Sequence, residues 1–224
     1  MEIRDYSNEM NNLRKAFRLI YNYQKCMKSL VTYIKTKYGF EDEILGHKRF
    51  SNTIDAGRKN GCYDANLKIG EASAWDFVYP YEFEYFFGCQ DIKEKKENKT
   101  RKYQICMSVI QVSDTGHYFQ NDTSETNADK FKDTDKSDSI LIFACEKMRK
   151  SSKWETTEYL DEIIKKIICG KASKWIPYEK DENTGLLVKR YHIEDFDTQS
   201  SADKLIKDFS NLFYKKTGIK IIKV

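Results

Sequence analysis

Histidine is scarce in this chain of 224 residues, and so are the short-range arrangements from which metal sites are built. His47, His117 and His192 are its only histidines, and none stands in an H-E-x-x-H pattern. The six cysteines, Cys26, Cys62, Cys89, Cys106, Cys145 and Cys169, include no C-x-x-C pair. Zinc spacing is therefore missing, and no metal is expected. Asp129, Asp133, Asp135 and Asp138 have the density of a calcium loop. Counted from Asp133, however, they lack the glycine at the sixth position and the glutamate at the twelfth that an EF-hand needs. There is no G-x-S-x-G elbow, and Gly57-Arg58-Lys59-Asn60-Gly61 lacks the ending of a phosphate loop. No cofactor is expected.

Proline (2) and glycine (10) are also few, and with 40% hydrophobic and 33% charged residues this excludes collagen-like, proline-rich and wholly disordered chains. No uncharged apolar run approaches the length of a membrane span. Met1 to Asp5 is charged and no apolar core follows it, so no secretory signal is expected. Scattered cysteines inside apolar segments then read as reduced, buried small hydrophobes, which points to a cytoplasmic protein. In such a compartment the sequons at Asn98 and Asn121 would be idle.

The most telling absence is local: from Met10 to Phe40 there is no acid, while Arg14, Lys15, Arg18, Lys25, Lys28, Lys35 and Lys37 are basic. Leu13, Phe17, Ile20, Gln24, Met27, Val31, Ile34 and Tyr38 recur there at spacings of four and three. They predict one long helix over 7–38, with a single apolar stripe and Gly39 as its C-cap. Beside the stripe runs a basic row, Arg14, Arg18, Tyr21, Lys25, Lys28, Thr32 and Lys35, a pattern that either covers the flanks of a core helix or tracks an acidic or phosphate-bearing partner. The near-heptad spacing also admits a homodimer through this helix.

Residues 41–75 keep no period. Beyond them Tyr81, Phe83, Tyr85 and Phe87 alternate with Glu82, Glu84 and Phe86, and Tyr103, Ile105, Met107 and Val109 alternate with Gln104, Cys106 and Ser108. These predict two antiparallel strands with one aromatic face, separated by a charged loop over 91–102. Ser139 to Cys145 is almost wholly apolar and predicts a central strand covered on both faces. Before it, 113–138 carries seven acids against three lysines and reads as a long acidic loop, with His117, Tyr118 and Phe119 as its anchor to the body or to a partner. A helix capped by Ser152 and Glu155 and ending at Gly170, a hairpin from Trp175 to Ile193, and a helix from Ser201 to Gly218 complete the chain. Pro177 places the first hairpin strand at a sheet edge.

The expected fold is α+β in a single domain, 1–224. A long basic amphipathic helix (1–40) precedes a sheet-and-helix core (75–224), whose mainly antiparallel sheet of about five strands is backed by two C-terminal helices.

The missing catalytic motifs favour a non-enzymatic macromolecule-binding protein, a small inhibitor or accessory subunit of a protein or nucleoprotein complex. Its contact residues would be Arg14, Arg18, Tyr21, Lys25, Lys28 and Lys35 on the helix and His117, Tyr118 and Phe119 on the loop. The alternative is an enzyme that binds or cleaves nucleic acid with a metal. For this, Glu94-x-Lys96 and Glu97-x-Lys99 have the letters but sit in a charged loop, whereas Asp76 with Glu82 and Glu84 is the better carboxylate set, with Gln104 and Ser108 opposite.

Overall fold

The computed structural model describes residues 6–50, 56–59, 62–65, 73–78, 80–96, 99–120, 126–149, 156–178 and 181–222. The sequons at Asn98 and Asn121 and the Ser152/Glu155 cap lie outside these residues. Helix α1 runs Tyr6–Tyr38, strand β1 Leu45–Lys48, and a small separate hairpin is formed by β2, Ala56–Lys59, and β3, Cys62–Ala65. Then follow β4 (Glu82–Lys96), β5 (Lys99–Val112), β6 (Ile140–Arg149), helix α2 (Thr156–Ile168), β7 (Ser173–Tyr178), β8 (Asp181–His192) and helix α3 (Gln199–Thr217). The main sheet is antiparallel throughout and ordered β1-β4-β5-β6-β8-β7. It has six strands rather than five, because β1, inside the segment without a period, joins the edge of β4. At four residues with burial on Lys48 alone, β1 carries too little alternation to be read from sequence.

Both faces of the sheet are covered. Tyr85, Phe87, Ile105, Met107, Val109, Phe143, Cys145 and Tyr191 meet α1 and α3 on one side, through Met27, Val31, Ile34, Tyr38, Ile206, Phe209 and Phe213. Ile110, Val112, Ile140, Ile142, Ala144, Leu186 and Val188 meet Ile163, Ile164, Ile167 and Ile168 of α2 on the other. The two C-terminal helices thus lie on opposite faces. Central β6 is buried along its length up to Met148, as an unbroken apolar run requires, and β7 with Pro177 is the edge strand. Gln24, the polar member of the α1 stripe, closes a ring of hydrogen bonds. Its Nε2 donates to the Tyr85 hydroxyl at 2.5 Å, that hydroxyl donates to Gln111 at 2.8 Å, and Gln111 Nε2 donates back to Gln24 at 3.3 Å. Burial of Tyr85 raises its pKa to about 12, against the opposing effect of the Gln24 bond.

Two expectations are corrected here. Within the expected loop 91–102, residues 91–96 and 99–102 are strand: β4 and β5 continue as a ladder from Asp91↔Gln104 to Lys96↔Lys99, past Tyr103↔Arg149 where β6 ends. Charged side chains suit a two-stranded ribbon that needs no buried face, so their solvation says little about whether the backbone pairs. The cysteines are not all reduced, because Cys89 and Cys106, paired residues of β4 and β5, form a disulfide. A bulge between Phe86 and Cys89 sets that register, and Gly88 occupies it with φ +94°, a conformation that L side chains rarely adopt. A Cβ there would also lie 2.3 Å from the Asp42 carboxylate. Cys145 is free and buried, while Cys26 and Cys169 are free and exposed. No helix among the described residues is long and apolar enough to cross a membrane.

Candidate functional site

Helix α1 changes character midway. From Met27 onward the stripe is inside the protein, with Met27, Val31, Ile34 and Tyr38 at 0 to 2% exposure. Toward the N-terminus the same stripe is in water: Met10 is 42% exposed, Leu13 46%, Phe17 64% and Ile20 41%, joined by Leu19 and Tyr21 at 71% and 68%. The boundary falls where Tyr23, whose hydroxyl lies 3.1 Å from that of Ser113, and Gln24 reach the end of the sheet. N-terminal to that boundary, every described side chain of α1 from Asn8 to Asn22 is exposed.

The basic row rides on the same rod. Arg14, Arg18, Tyr21, Lys25 and Lys28 are exposed, and Lys35, half-buried, donates to the Glu41 carbonyl at 3.4 Å. On the projecting half, apolar and cationic side chains therefore lie side by side. Exposed apolar patches of this kind, rimmed by charge, mark contact surfaces.

The acidic loop is different. Its base is tied by Thr115 N–H to the Asp138 carbonyl at 3.0 Å, by Asp138 N–H to the Thr115 hydroxyl at 2.9 Å and by Ser139 to the Ser113 carbonyl at 2.7 Å. Its middle is pinned by aromatic rings. Phe131 stacks on Trp75 at 5.4 Å, His117 packs edge-on to Phe50 at 4.9 Å and to Phe131 at 5.2 Å, and the Trp75 indole donates to the Thr126 carbonyl at 2.7 Å. Of the three predicted anchor residues, His117 is buried and Tyr118 turns its hydroxyl to Glu82 at 2.5 Å, so both hold the loop to the body. Only Phe119 faces solvent, at 40% exposure beneath the Lys132 ammonium. Burial pulls the His117 pKa below the ordinary imidazole value, with Lys165 acting in the same direction and Asp114 against it. Asp129, Asp133, Asp135 and Asp138 remain exposed.

Asp76, Glu82 and Glu84 lie at the same end of the sheet, and all three are buried, at 0%, 3% and 3% exposure. Each has protein partners. Asp76 accepts from Ser73 N–H at 2.9 Å in a capping box on a one-turn helix, Ala74–Phe77. Glu84 accepts from Arg49 Nη1 at 2.7 Å and from Ser108 at 2.6 Å, and Arg49 Nε lies 3.8 Å from Glu82. Lys48 donates to the Trp75 carbonyl at 2.6 Å; burial lowers its pKa, and the Asp76 charge opposes that shift. The pairing of Glu84 with Ser108 follows from their shared face, whereas Gln104 is drawn off to Asp91 at 3.2 Å. Sequence reasoning missed Arg49 and Lys48, because they sit in the stretch without periodicity. Among the described residues no three of His, Cys, Asp and Glu gather as a group able to hold a metal ion.

No curated protein and no solved structure matches this chain. A family model described as PM0109 matches residues 4–218, which span the three α-helices and the strands of both sheets among the described residues. The chain belongs to the PM0109 family.

Proposed function

We propose that the protein acts by binding a macromolecular partner, as a small inhibitor or accessory subunit of a protein or nucleoprotein complex, with the projecting half of α1 as its contact element. One observation carries this: Met10, Leu13, Phe17 and Ile20 continue a core stripe into solvent, flanked by Arg14, Arg18 and Lys25. Burying a side chain of that size is worth about 1.5 to 3 kcal/mol, so leaving several exposed favours association. The complementary surface is an apolar groove rimmed by acids, since cations at a contact rim steer an acidic partner. The acidic loop, pinned by His117, Trp75 and Phe131, offers Phe119 and its exposed aspartates as a second, smaller contact. The cleavage reading through Asp76, Glu82 and Glu84 is the weaker one, because each carboxylate is already engaged by protein donors or a buried cation. A cytoplasmic address loses the support of six reduced cysteines, since the Cys89–Cys106 disulfide suits an oxidising compartment better.

The test is affinity purification of the tagged chain from its own cells, in parallel with Leu13→Glu/Phe17→Glu and with Arg14→Glu/Arg18→Glu/Lys25→Glu/Lys28→Glu. A partner that is recovered with the parent chain should be lost with both variants. Retention by both would remove α1 as the contact surface. Light scattering checks the chain's own mass of 26.5 kDa: a dimer that Phe17→Glu splits would make the partner a second copy.

A further inference from the structure

The projecting half of α1 leaves the body through a collar of acids. Tyr23 marks the exit, with its hydroxyl 3.1 Å from that of Ser113. Ser139 donates to the Ser113 carbonyl at 2.7 Å, and Ile193 N–H donates to the Ser139 carbonyl at 3.0 Å. The base of the acidic loop and the one-turn helix Ile193–Phe196 are therefore joined beside Tyr23. Burial raises the Tyr23 pKa, the hydrogen bonds to Ser113 and Gln111 oppose that shift, and the nearby Glu194 charge adds to it. The segments that meet here, 113–117, 137–139 and 192–198, carry Asp114, Asp138, Glu194, Asp195 and Asp197 against two histidines, with neither lysine nor arginine. Asp138, Glu194, Asp195 and Asp197 are exposed, and Asp114 is half-buried.

The rod that leaves this collar has the opposite sign: residues 8–22 hold Arg14, Lys15 and Arg18 against Glu9 alone. Its exposed stripe is also self-complementary when two rods run antiparallel. With a two-fold axis at Phe17, Leu13 of one copy lies level with Ile20 of the other, and Met10 with Gln24. The stripe from Met10 to Gln24 is then matched along its whole length, and an isologous contact of this kind closes at two copies. At 1.5 Å per residue, the other copy's Arg14 stands about 5 Å along the axis from Tyr23 and its Arg18 about 11 Å. The Debye length at physiological salt is about 8 Å, so charges at these separations still attract. A parallel pairing sets Arg14 and Arg18 level with their own copies and carries them away from both collars.

We propose that the occupant of the projecting half of α1 is a second copy of this chain, in an antiparallel two-fold helix pair whose Arg14 and Arg18 meet Asp138 and Glu194 of the opposite body. This rests on α1 as the contact element and names the partner of that surface. Opposite charges held apart along one molecule are brought together across two, which fixes the direction and register of the pair as well as its partner.

The test uses the full chain and two charge-reversed forms of it, Arg14→Glu/Arg18→Glu and Asp138→Lys/Glu194→Lys, all at exposed positions. Sedimentation equilibrium across a dilution series should find the parent at twice the 26.5 kDa of the chain. Each reversed form alone should dimerise tenfold more weakly or worse, with its circular dichroism spectrum unchanged, because rod and collar then carry like charges. The two forms mixed one to one should pair within threefold of the parent, since the acidic rod meets the basic collar and the basic rod the acidic one. Phe17→Glu should abolish the dimer. A parent that stays monomeric, reversed forms that dimerise alone as well as the parent does, or a mixture that fails to pair would overturn the proposal. These failures are distinct from failure of α1 as the contact element. A monomeric parent whose co-purifying partner is still lost with Leu13→Glu/Phe17→Glu keeps α1 as the surface and replaces its occupant, whereas a dimer that survives Phe17→Glu removes α1 from the dimer contact.

Discussion

The two halves of α1 are built from the same repeat and meet opposite fates. Met27, Val31, Ile34 and Tyr38 are as closed to water as the middle of the sheet, while Leu13, Phe17 and Ile20, three or four residues apart on the same face, are open. Helical periodicity decides which face is apolar; how far that face is covered depends on the length of what lies under it. Here the cover ends at the polar ring of Gln24, Tyr85 and Gln111. An amphipathic stripe thus marks potential burial, and its uncovered remainder is where a partner has most to gain.

Three substitutions along the stripe should separate the halves, in falling order of effect on stability. Ile34→Ala removes a fully buried side chain from the contact of α1 with the sheet, and a loss of about 2 to 5 kcal/mol is expected in urea unfolding. A loss below 1 kcal/mol would mean that this half of the helix is not core. Gln24→Leu, at the boundary, breaks the ring at two points and leaves Gln111 Nε2 to Ser113 and the Pro80 carbonyl. A cost of about 1 to 2 kcal/mol is expected by the same measurement, since a buried polar group loses a partner. A neutral or stabilising result would show the ring to be water-exchanged. Phe17→Ala should leave stability within about 0.5 kcal/mol of the parent, as surface changes do, and hydrogen exchange should find the amides before Gln24 poorly protected against slow exchange from Met27 onward. A large loss of stability at Phe17 would place that half against the body and remove the contrast.

Much of the fold was legible in local pattern. The length of α1, the burial of β6 on both faces, the edge position of β7 and the glycine ends of α1 and α3 follow from period, branching, proline geometry and left-handed caps. The candidate site was legible in part. Glu82 and Glu84 were found as a pair because they alternate on one strand, but the arginine that neutralises Glu84 lies 35 residues earlier in a segment with no period. Charge in the β4–β5 ribbon concealed a regular ladder, since pairing there draws on backbone hydrogen bonds that side-chain type does not report.

Sequence was enough for the three α-helices and the strands with a regular apolar period, for the single apolar stripe of α1 and the acid-free basic row beside it, and for the acid-rich stretch 113–138, because each is a property of neighbours in the chain. Where the stripe leaves the core, the inward turn of His117 and Tyr118, and the meeting of Cys89 with Cys106 were settled by tertiary structure. These are contacts between residues far apart in the chain, set by strand register and by where each strand stops, and local periodicity carries neither quantity.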